Sequence, residues 1–160
     1  MTRASDTGRA GSAGRASGPV IAALQAALAA EQAASYGYGI VGAHLPQGSA
    51  AQGVATTDWV AHVRARDQLT ELVSARGATP VPAAVAYELP FAVSTAAQAS
   101  QLAATLEDKV AQAYMALVSL PEPGLRSLGA EQVRACALRA ESWRGSTQAF
   151  PGLPPASLRR

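Results

Sequence analysis

A stretch of seventeen residues without helical signals, residues 78–94, separates two pairs of helical segments in this chain. It reads ATPVPAAVAYELPFAVS, and its three prolines interrupt any helix that would cross it. Fully extended, it spans about 55 Å at ~3.3 Å per residue, whereas the flanking helices span about 30–35 Å at ~1.5 Å per residue. So long a connection is uncommon inside a compact domain. It can cross the full length of a helical bundle and return the chain to the same end. Its apolar residues are expected to pack on the outside of the bundle: Val81, Val85, Tyr87, Leu89 and Phe91.

Four segments carry apolar residues at the three- and four-residue spacing of amphipathic helices. We expect helix 1 from about Pro19 to Leu45, helix 2 from Thr56–Asp58 to Gly77, helix 3 from the Ser94–Thr95 cap to Leu120, and helix 4 from Leu125 to Arg144. Short turns join the first pair and the last pair, and short turns make neighbouring helices antiparallel. The predicted fold class is therefore all-α, a ferritin-like four-helix bundle with a long crossover between helices 2 and 3.

The two ends of the chain lack this periodicity. Residues 1–18 consist mostly of Gly, Ser, Ala and Arg, and such a segment buries too little apolar surface to offset the entropy of ordering. We expect a disordered tail over residues 1–18, the bundle over residues 19–154 and a C-terminal tail over residues 155–160. Phe150 and Leu153 are expected to dock on the bundle.

The composition argues against several classes of function. Alanine, at 38 of the 160 residues, is the best helix former and allows helices to pack closely. The twelve arginines and one lysine are scattered, so we expect no nucleic-acid partner. No apolar run reaches the ~18 residues of a membrane span, and residues 1–18 lack the apolar core of a secretory signal. The single cysteine, Cys136, rules out an internal disulfide, and we expect a cytoplasmic protein.

Glu31 lies on the apolar face of helix 1, at a position where a leucine would be expected. Leu24 and Leu28 precede it at helical spacing, and Ala34 and Tyr38 follow it. A carboxylate on such a face must bind a metal ion, a cationic side chain or a hydrogen-bond donor, or else become protonated. The identity of the group that neutralises Glu31 is therefore the main functional question that the sequence poses.

Each of the other helices also places a polar residue about midway along its apolar face. Together with Glu31, these residues form a predicted central cluster: His62, Arg66, Glu107 and Arg139. Two acids and two arginines balance in charge, and a guanidinium can bind a carboxylate through two parallel hydrogen bonds. The sequence therefore favours salt bridges, with no catalytic residue and no cofactor. Glu107 and His62 also fit a second interpretation, as polar residues at the edge of the core.

A metal centre is the alternative interpretation of the same residues. Di-iron carboxylate bundles take a Glu from each of two helices and a Glu-x-x-His pair from each of the other two. Glu31 and Glu107 fit the single positions, but Trp59 stands three residues before His62 and Arg144 three residues after Glu141. On this interpretation iron or manganese is held by Glu31, His62, Glu107 and Glu141, with Asp67 as a further candidate.

Four runs of the sequence resemble the DUF4439 family of bacterial ferritin-like proteins. They are ALAAEQAASYGYGIVGAHL, HVRARDQLTELVSARGATP, AAVAYELPFAVSTAAQASQLAATLEDKVAQAYMALV, and RAESWRG followed by AFPGLP, and they cover about residues 20–154. The resemblance implies a ferritin-like fold. It does not assign an activity, because the family has no assigned function. Ferritin-like proteins with intact sites store iron, reduce peroxide or oxidise substrates, and only Glu31 and Glu107 carry over from their ligands.

The sequence thus predicts a ferritin-like bundle with a degenerate di-metal site, acting as a non-catalytic binding or structural module. Two other functions stay open. One is a divergent iron- or manganese-dependent oxidoreductase or metal store, and the other is a small-molecule carrier with its pocket inside the bundle. Because the alanine-rich helices leave apolar faces for a partner, we expect a homodimer or other homo-oligomer, or a complex with another protein.

Overall fold

A computed structural model of the chain describes residues 10–146, with side chains from Gly18 onward. Within this range the chain forms four α-helices and no β-strand: α1 (Ala10–Ala43), α2 (Ala50–Ser74), α3 (Ala96–Val118) and α4 (Pro123–Arg144). The predicted all-α, four-helix fold is confirmed. None of these helices is both long enough and apolar enough to cross a membrane. Phe150 and Leu153, which we expect to dock on the bundle, lie outside the described residues.

Helix α1 begins at Ala10 rather than near Pro19. The predicted disordered tail therefore does not hold for residues 10–18, and residues 1–9 lie outside the described range. Three glycines and two serines in residues 10–18 disfavour this extension, whereas its three alanines and Arg15 favour it. Lengthening a helix that already exists also adds one hydrogen bond for each residue that is fixed. Pro19 lies inside α1, at the cost of one backbone hydrogen bond.

Helix α2 begins at a polar cap that sequence inspection misses. Ser49 Oγ accepts a hydrogen bond from the backbone N–H of Gln52 at 3.2 Å, and Gln52 Oε1 accepts one from the backbone N–H of Gly48 at 2.8 Å. One bond satisfies a backbone donor of the first turn and the other satisfies the donor of the residue before the cap, an arrangement similar to a capping box. The predicted start at Thr56–Asp58 is therefore wrong, because Ser49 already caps the helix.

Helix α3 begins with the same arrangement, at the predicted cap. Thr95 Oγ1 accepts from the backbone N–H of Gln98 at 3.2 Å, and Gln98 Oε1 accepts from the backbone N–H of Ser94 at 2.9 Å. At the same end of the bundle, α4 is terminated by Gly145, whose φ of 73° places it in the left-handed region that glycine adopts without strain.

Two apolar clusters make up the core, one toward each end of the bundle. The first joins the N-terminal halves of α1 and α4 to the C-terminal halves of α2 and α3, and includes Leu24, Leu69, Leu117 and Leu125. The second joins the C-terminal ends of α1 and α4 to the N-terminal parts of α2 and α3, and includes Val41, Ala55, Leu102 and Trp143. Helices α1 and α4 therefore run in one direction, and α2 and α3 run in the other. Helix α1 packs against α2 and α3, and α3 also packs against α4.

The crossover between α2 and α3 follows the outside of α1. Gln25 donates to the carbonyl of Thr79 at 2.7 Å and accepts from the backbone N–H of Val81 at 2.8 Å. Farther along, the rings of Tyr36 and Tyr87 pack with centroids 5.5 Å apart. Since these contacts advance from Gln25 toward the C-terminal end of α1, the crossover carries the chain along the bundle to the start of α3.

Four of the five apolar crossover residues pack as expected. Val81, Tyr87, Leu89 and Phe91 are half-buried, but the prediction for Val85 is wrong, because its side chain is fully exposed. The hydroxyl of Tyr87 accepts a hydrogen bond from the backbone N–H of Ala84 at 3.1 Å. The chain between them therefore forms a small loop, and Val85 lies on its outer side.

Helices α3 and α4 pack closely at Gly129. A Cβ atom added there would lie 3.0 Å from Leu117 Cβ, 3.0 Å from the backbone N of Val118 and 3.1 Å from the carbonyl O of Tyr114. These atoms belong to the backbone or sit next to it, so they cannot yield unless one helix moves. Glycine at this position therefore permits the close contact between α3 and α4.

Gly129→Ala is expected to lower the free energy of unfolding by about 1–3 kcal/mol, because the new methyl group overpacks the α3–α4 contact. Urea denaturation followed by circular dichroism measures the change. Gly124→Ala is the matched control, since it lies in the same helix with nothing within 4 Å of the added Cβ. It should be neutral or stabilise the protein by up to ~1 kcal/mol through helix propensity. Equal effects of the two substitutions would contradict the close contact.

Candidate functional site

A layer of polar side chains lies between the two apolar clusters, with at least one residue from each helix. We call this set the central polar layer: Glu31, Tyr38, Asp58, His62, Glu107, Tyr114, Arg139 and Trp143. The three residues at its centre, Glu31, His62 and Glu107, are each at most 1% exposed. Solvent therefore cannot compensate their charges, and neighbouring side chains must do so.

His62 lies between two carboxylates. Its Nδ1 is 2.6 Å from Glu31 Oε2, and its Nε2 is 3.0 Å from Glu107 Oε1. An ionised carboxylate only accepts hydrogen bonds, so both ring nitrogens must carry a proton, and the ring is an imidazolium. Burial alone would lower the pKa of His62, but the hydrogen bonds and charges of Glu107 and Glu31 outweigh burial and raise the pKa to about 9. At neutral pH His62 is therefore a cation that links α1, α2 and α3.

Arg139 supplies the second positive charge of the layer. Its Nε donates to Glu107 Oε1 at 2.9 Å, and one of its terminal nitrogens lies 3.3 Å from Cys136 Sγ. Burial alone would raise the pKa of Glu107, but His62 and Arg139 outweigh burial and hold that pKa below its ordinary value. One imidazolium and one guanidinium thus balance the two central carboxylates.

Two tyrosines donate further hydrogen bonds to the carboxylates. Tyr114 Oη donates to Glu31 Oε1 at 2.9 Å, and Tyr38 Oη donates to Glu107 Oε1 at 2.6 Å. Burial raises the pKa of both phenols far above its ordinary value, and the adjacent carboxylates raise it further, so both stay neutral donors. Their helical spacing places them on the inward face, but it does not reveal that a carboxylate faces each one.

Asp58 and Trp143 extend the layer to the side where α2 faces α4. Trp143 Nε1 donates to Asp58 Oδ2 at 2.9 Å, and Tyr38 Oη lies 3.4 Å from the same oxygen. Burial raises the pKa of Asp58, although the Trp143 hydrogen bond opposes this. Sequence inspection takes Asp58 for a capping residue. Its position one helical turn before His62 is the signal that could have placed it on the inward face.

The structure brings together four of the five residues of the predicted central cluster. Arg66 is the exception, because it pairs with the adjacent Asp67 at 2.7 Å on the surface, where the two side chains are 37% and 60% exposed. The buried row of α2 contains Asp58, His62, Ala65 and Leu69. Arg66 lies at the edge of this row, and its long side chain extends to solvent. The expectation that an arginine neutralises Glu31 is also wrong, since His62 does so.

Comparison with known proteins agrees with the resemblance seen in the sequence. The family model for DUF4439, a domain of unknown function, matches residues 23–155. The chain belongs to the DUF4439 family. Its fold is similar to the crystal structure of a conserved hypothetical protein, rv2844, from Mycobacterium tuberculosis, with 37% sequence identity and a TM-score of 0.73. That match covers 78% of this chain and 93% of the other. No curated protein matches the chain.

The donor groups of this DUF4439 protein do not fit a metal ion as they are arranged. Ligands must be deprotonated and must converge on one position, whereas Glu31 and Glu107 contact opposite, protonated nitrogens of one ring. Between residues 10 and 146, no group of three or more His, Cys, Asp or Glu side chains is placed to hold a metal ion. Glu141, a ligand on the alternative interpretation, is half-buried, and Asp67 is exposed. Neither is hydrogen-bonded to the central carboxylates or to His62.

Raising the pH above 6.5 is expected to destabilise this DUF4439 protein. Folding raises the pKa of His62 from 6.5 to about 9, so the stabilisation from its proton is complete below pH 6.5 and is lost as the pH rises through 9. The free energy of unfolding should fall by roughly 3 kcal/mol over this interval, at about 1.4 kcal/mol per pKa unit. Urea denaturation at successive pH values measures the fall.

The two histidines of the chain provide a matched pair of controls for this pH dependence. His44 is exposed and bonds only to the carbonyl of Ile40 at 2.9 Å, so His44→Gln should keep the fall. His62→Gln should remove it, because the titrating group is gone. A wild-type protein with the same stability at pH 6.5 and above pH 9 would show that His62 is not held as an imidazolium.

Proposed function

We propose that this protein is a ferritin-like bundle with a degenerate di-metal site, and that it acts as a non-catalytic binding or structural module in the cytoplasm. One observation carries the proposal: both ring nitrogens of His62 lie within hydrogen-bond distance of carboxylate oxygens, to which the imidazolium donates. An imidazole binds a metal ion through a free lone pair, and this ring offers none. The charges of Glu31, Glu107, His62 and Arg139 sum to zero, so no further cation is needed among them.

The connectivity supports the ferritin-like part of this proposal. Two antiparallel hairpins are joined by one long crossover, and side chains from all four helices meet midway along the bundle. Ferritin-like bundles have this connectivity and build their sites from inward side chains at the same place.

The state of the potentially reactive groups supports the non-catalytic part. Burial and the Glu107 carboxylate raise the pKa of the Cys136 thiol well above its ordinary value, and the thiol is completely buried. Reactive cysteines are accessible and have lowered pKa values. Tyr38 and Tyr114 are buried and neutral as well. The thiol and the two phenols therefore offer no exposed or ionised nucleophile at neutral pH.

A divergent iron- or manganese-dependent oxidoreductase or metal store is the second candidate. One observation favours it: Glu107 Oε2 is buried and has no hydrogen-bond partner among the described residues. The lone pairs of this oxygen are therefore available to a cation or to a further hydrogen-bond donor. To bind metal, however, His62 would have to release a proton and Arg139 would have to leave Glu107, which breaks two contacts that are present.

Purified without chelator, the wild-type protein is expected to contain far less than one iron or manganese ion per chain by elemental analysis. Glu31→Gln should lower the free energy of unfolding by about 3 kcal/mol, because removing one partner of a buried ion pair leaves the other uncompensated. Glu131→Gln, at an exposed position of α4, is the matched control and should change stability by less than about 0.5 kcal/mol. Two metal ions per wild-type chain, lost in Glu31→Gln, would instead establish the second candidate.

The proposed partner is a second copy of this chain. Large apolar side chains on the outside of the bundle support this, since Leu138 of α4 is 55% exposed and Trp59 of α2 is 42% exposed. Such residues are enriched where subunits meet when they form a contiguous patch.

Sedimentation equilibrium is expected to give twice the chain mass of 16.3 kDa. Leu138→Glu places a charge on the apolar outer side of α4 and should shift the protein toward the monomer. Gln68→Glu, at an exposed polar position of α2, introduces the same charge and should leave the dimer intact. A wild-type protein that stays monomeric at high concentration would contradict the homodimer.

A further inference from the structure

We propose that His62 and Arg139 stand where a two-metal carboxylate centre has ligands, and that substitutions at four positions, 62, 65, 136 and 139, create such a centre in this chain. The proposal rests on the proposed ferritin-like function. It goes beyond it by assigning the two Glu-x-x-His pairs of such a centre to positions 62 and 65 of α2 and positions 136 and 139 of α4.

Two of the required ligands are already in place. A two-metal centre of this kind uses one Glu from each of two helices, together with a Glu-x-x-His pair from each of the other two. Glu31 of α1 and Glu107 of α3 are both fully buried, and both contact the same imidazole from opposite sides. They therefore face one another across the centre of the bundle, as the two single carboxylates must.

On α2, the inward pair with the required spacing is His62 and Ala65, which are 1% and 7% exposed. Sequence inspection aligns the pair with residues 59 and 62, but Trp59 is 42% exposed and lies on the outer side of the helix. In the structure, the inward pair on α2 therefore consists of positions 62 and 65 and not of positions 59 and 62. His62 stands at the Glu position of the pair and Ala65 at the His position.

On α4, the corresponding pair is Cys136 and Arg139. Cys136 is fully buried, and its Sγ lies 3.3 Å from the guanidinium of Arg139 that binds Glu107. Arg139 reaches Glu107 directly at 2.9 Å. The pair suggested by the sequence, Glu141 and Arg144, lies at the end of the helix, where Arg144 binds the partly exposed Asp108 instead.

The side chains at positions 62 and 139 and a two-metal centre give the same charge balance in the middle of the bundle. In the present chain, two carboxylates face one imidazolium and one guanidinium, and the set is neutral. A centre with four carboxylates and two neutral imidazoles would be neutral with two divalent ions. His62 and Arg139 thus supply with side chains the positive charge that metal ions would otherwise bring, and a guanidinium keeps its proton throughout.

The test is a full-length variant with His62→Glu, Ala65→His, Cys136→Glu and Arg139→His, titrated with Co²⁺. We expect two Co²⁺ ions per chain by equilibrium dialysis and an affinity at least 100-fold above that of the wild type. A second variant, Cys136→Glu with Arg139→His, leaves α2 unchanged and should bind one Co²⁺ ion. If the fourfold variant is unfolded without metal, Co²⁺ should restore its helical circular dichroism, since the energy of metal binding then drives folding.

Arg134→His is the matched control, because it creates a Glu-x-x-His pair with Glu131 on the exposed face of the same helix. It should bind Co²⁺ no better than the wild type. The proposal is overturned if neither central variant gains Co²⁺ binding or Co²⁺-dependent helicity, or if the exposed pair gains as much as they do. That failure would leave the proposed function standing, whereas iron or manganese in the purified wild type would contradict the proposed function itself.

Discussion

The contacts of His62 with Glu31 and Glu107 fix how the four helices fit together. His62 belongs to α2, and its two partners belong to α1 and α3, while Arg139 of α4 binds the same oxygen of Glu107 as His62 does. A shift of any one helix along the bundle axis would separate a buried charge from its partner, and an unpaired buried charge costs several kcal/mol. The net gain in stability from such a network is small, because desolvation offsets most of the attraction. Its main effect is therefore to favour one register over the alternatives that alanine-rich helices would otherwise allow.

Alanine makes that specificity necessary. Helix surfaces lined with small, similar side chains offer many packing arrangements of nearly equal energy, since little distinguishes one alanine from the next. In this bundle the central polar layer separates two apolar clusters. The layer thereby divides the core into two segments. Because each helix contributes at least one residue to the layer, the boundary between the segments has a defined position along every helix. Close packing then follows where the smallest residue permits it, as at Gly129 between α3 and α4.

The fold follows from the sequence more directly than the site does. Helical periodicity and the three-proline crossover are long-range patterns, and both survive an error of a few residues at a helix end. The partner of Glu31 depends on a finer detail, namely which residues of α2 face inward. Trp59 suggests one face because it is apolar, yet it is 42% exposed, and the buried row includes its neighbour Asp58 instead. That small rotation brings His62 to Glu31 and leaves Arg66 on the surface with Asp67. Helical periodicity predicts roughly which face of α2 is buried. It does not decide whether His62 or Arg66, one turn apart, pairs with Glu31.

Central carboxylates can be neutralised by metal ions or by cationic side chains, and the two cases make the stability of the bundle depend on different conditions. When metal ions neutralise central carboxylates, their binding energy is part of the folding energy, and the protein then depends on the supply of metal. Here the neutralising groups belong to the chain itself, so the folded state needs no external ion for charge balance among Glu31, Glu107, His62 and Arg139. Such a set makes stability depend on pH, because folding raises the pKa of His62 from 6.5 to about 9. A centre of this kind is suited to holding helices in place under changing metal supply, and it supports a structural role for the bundle.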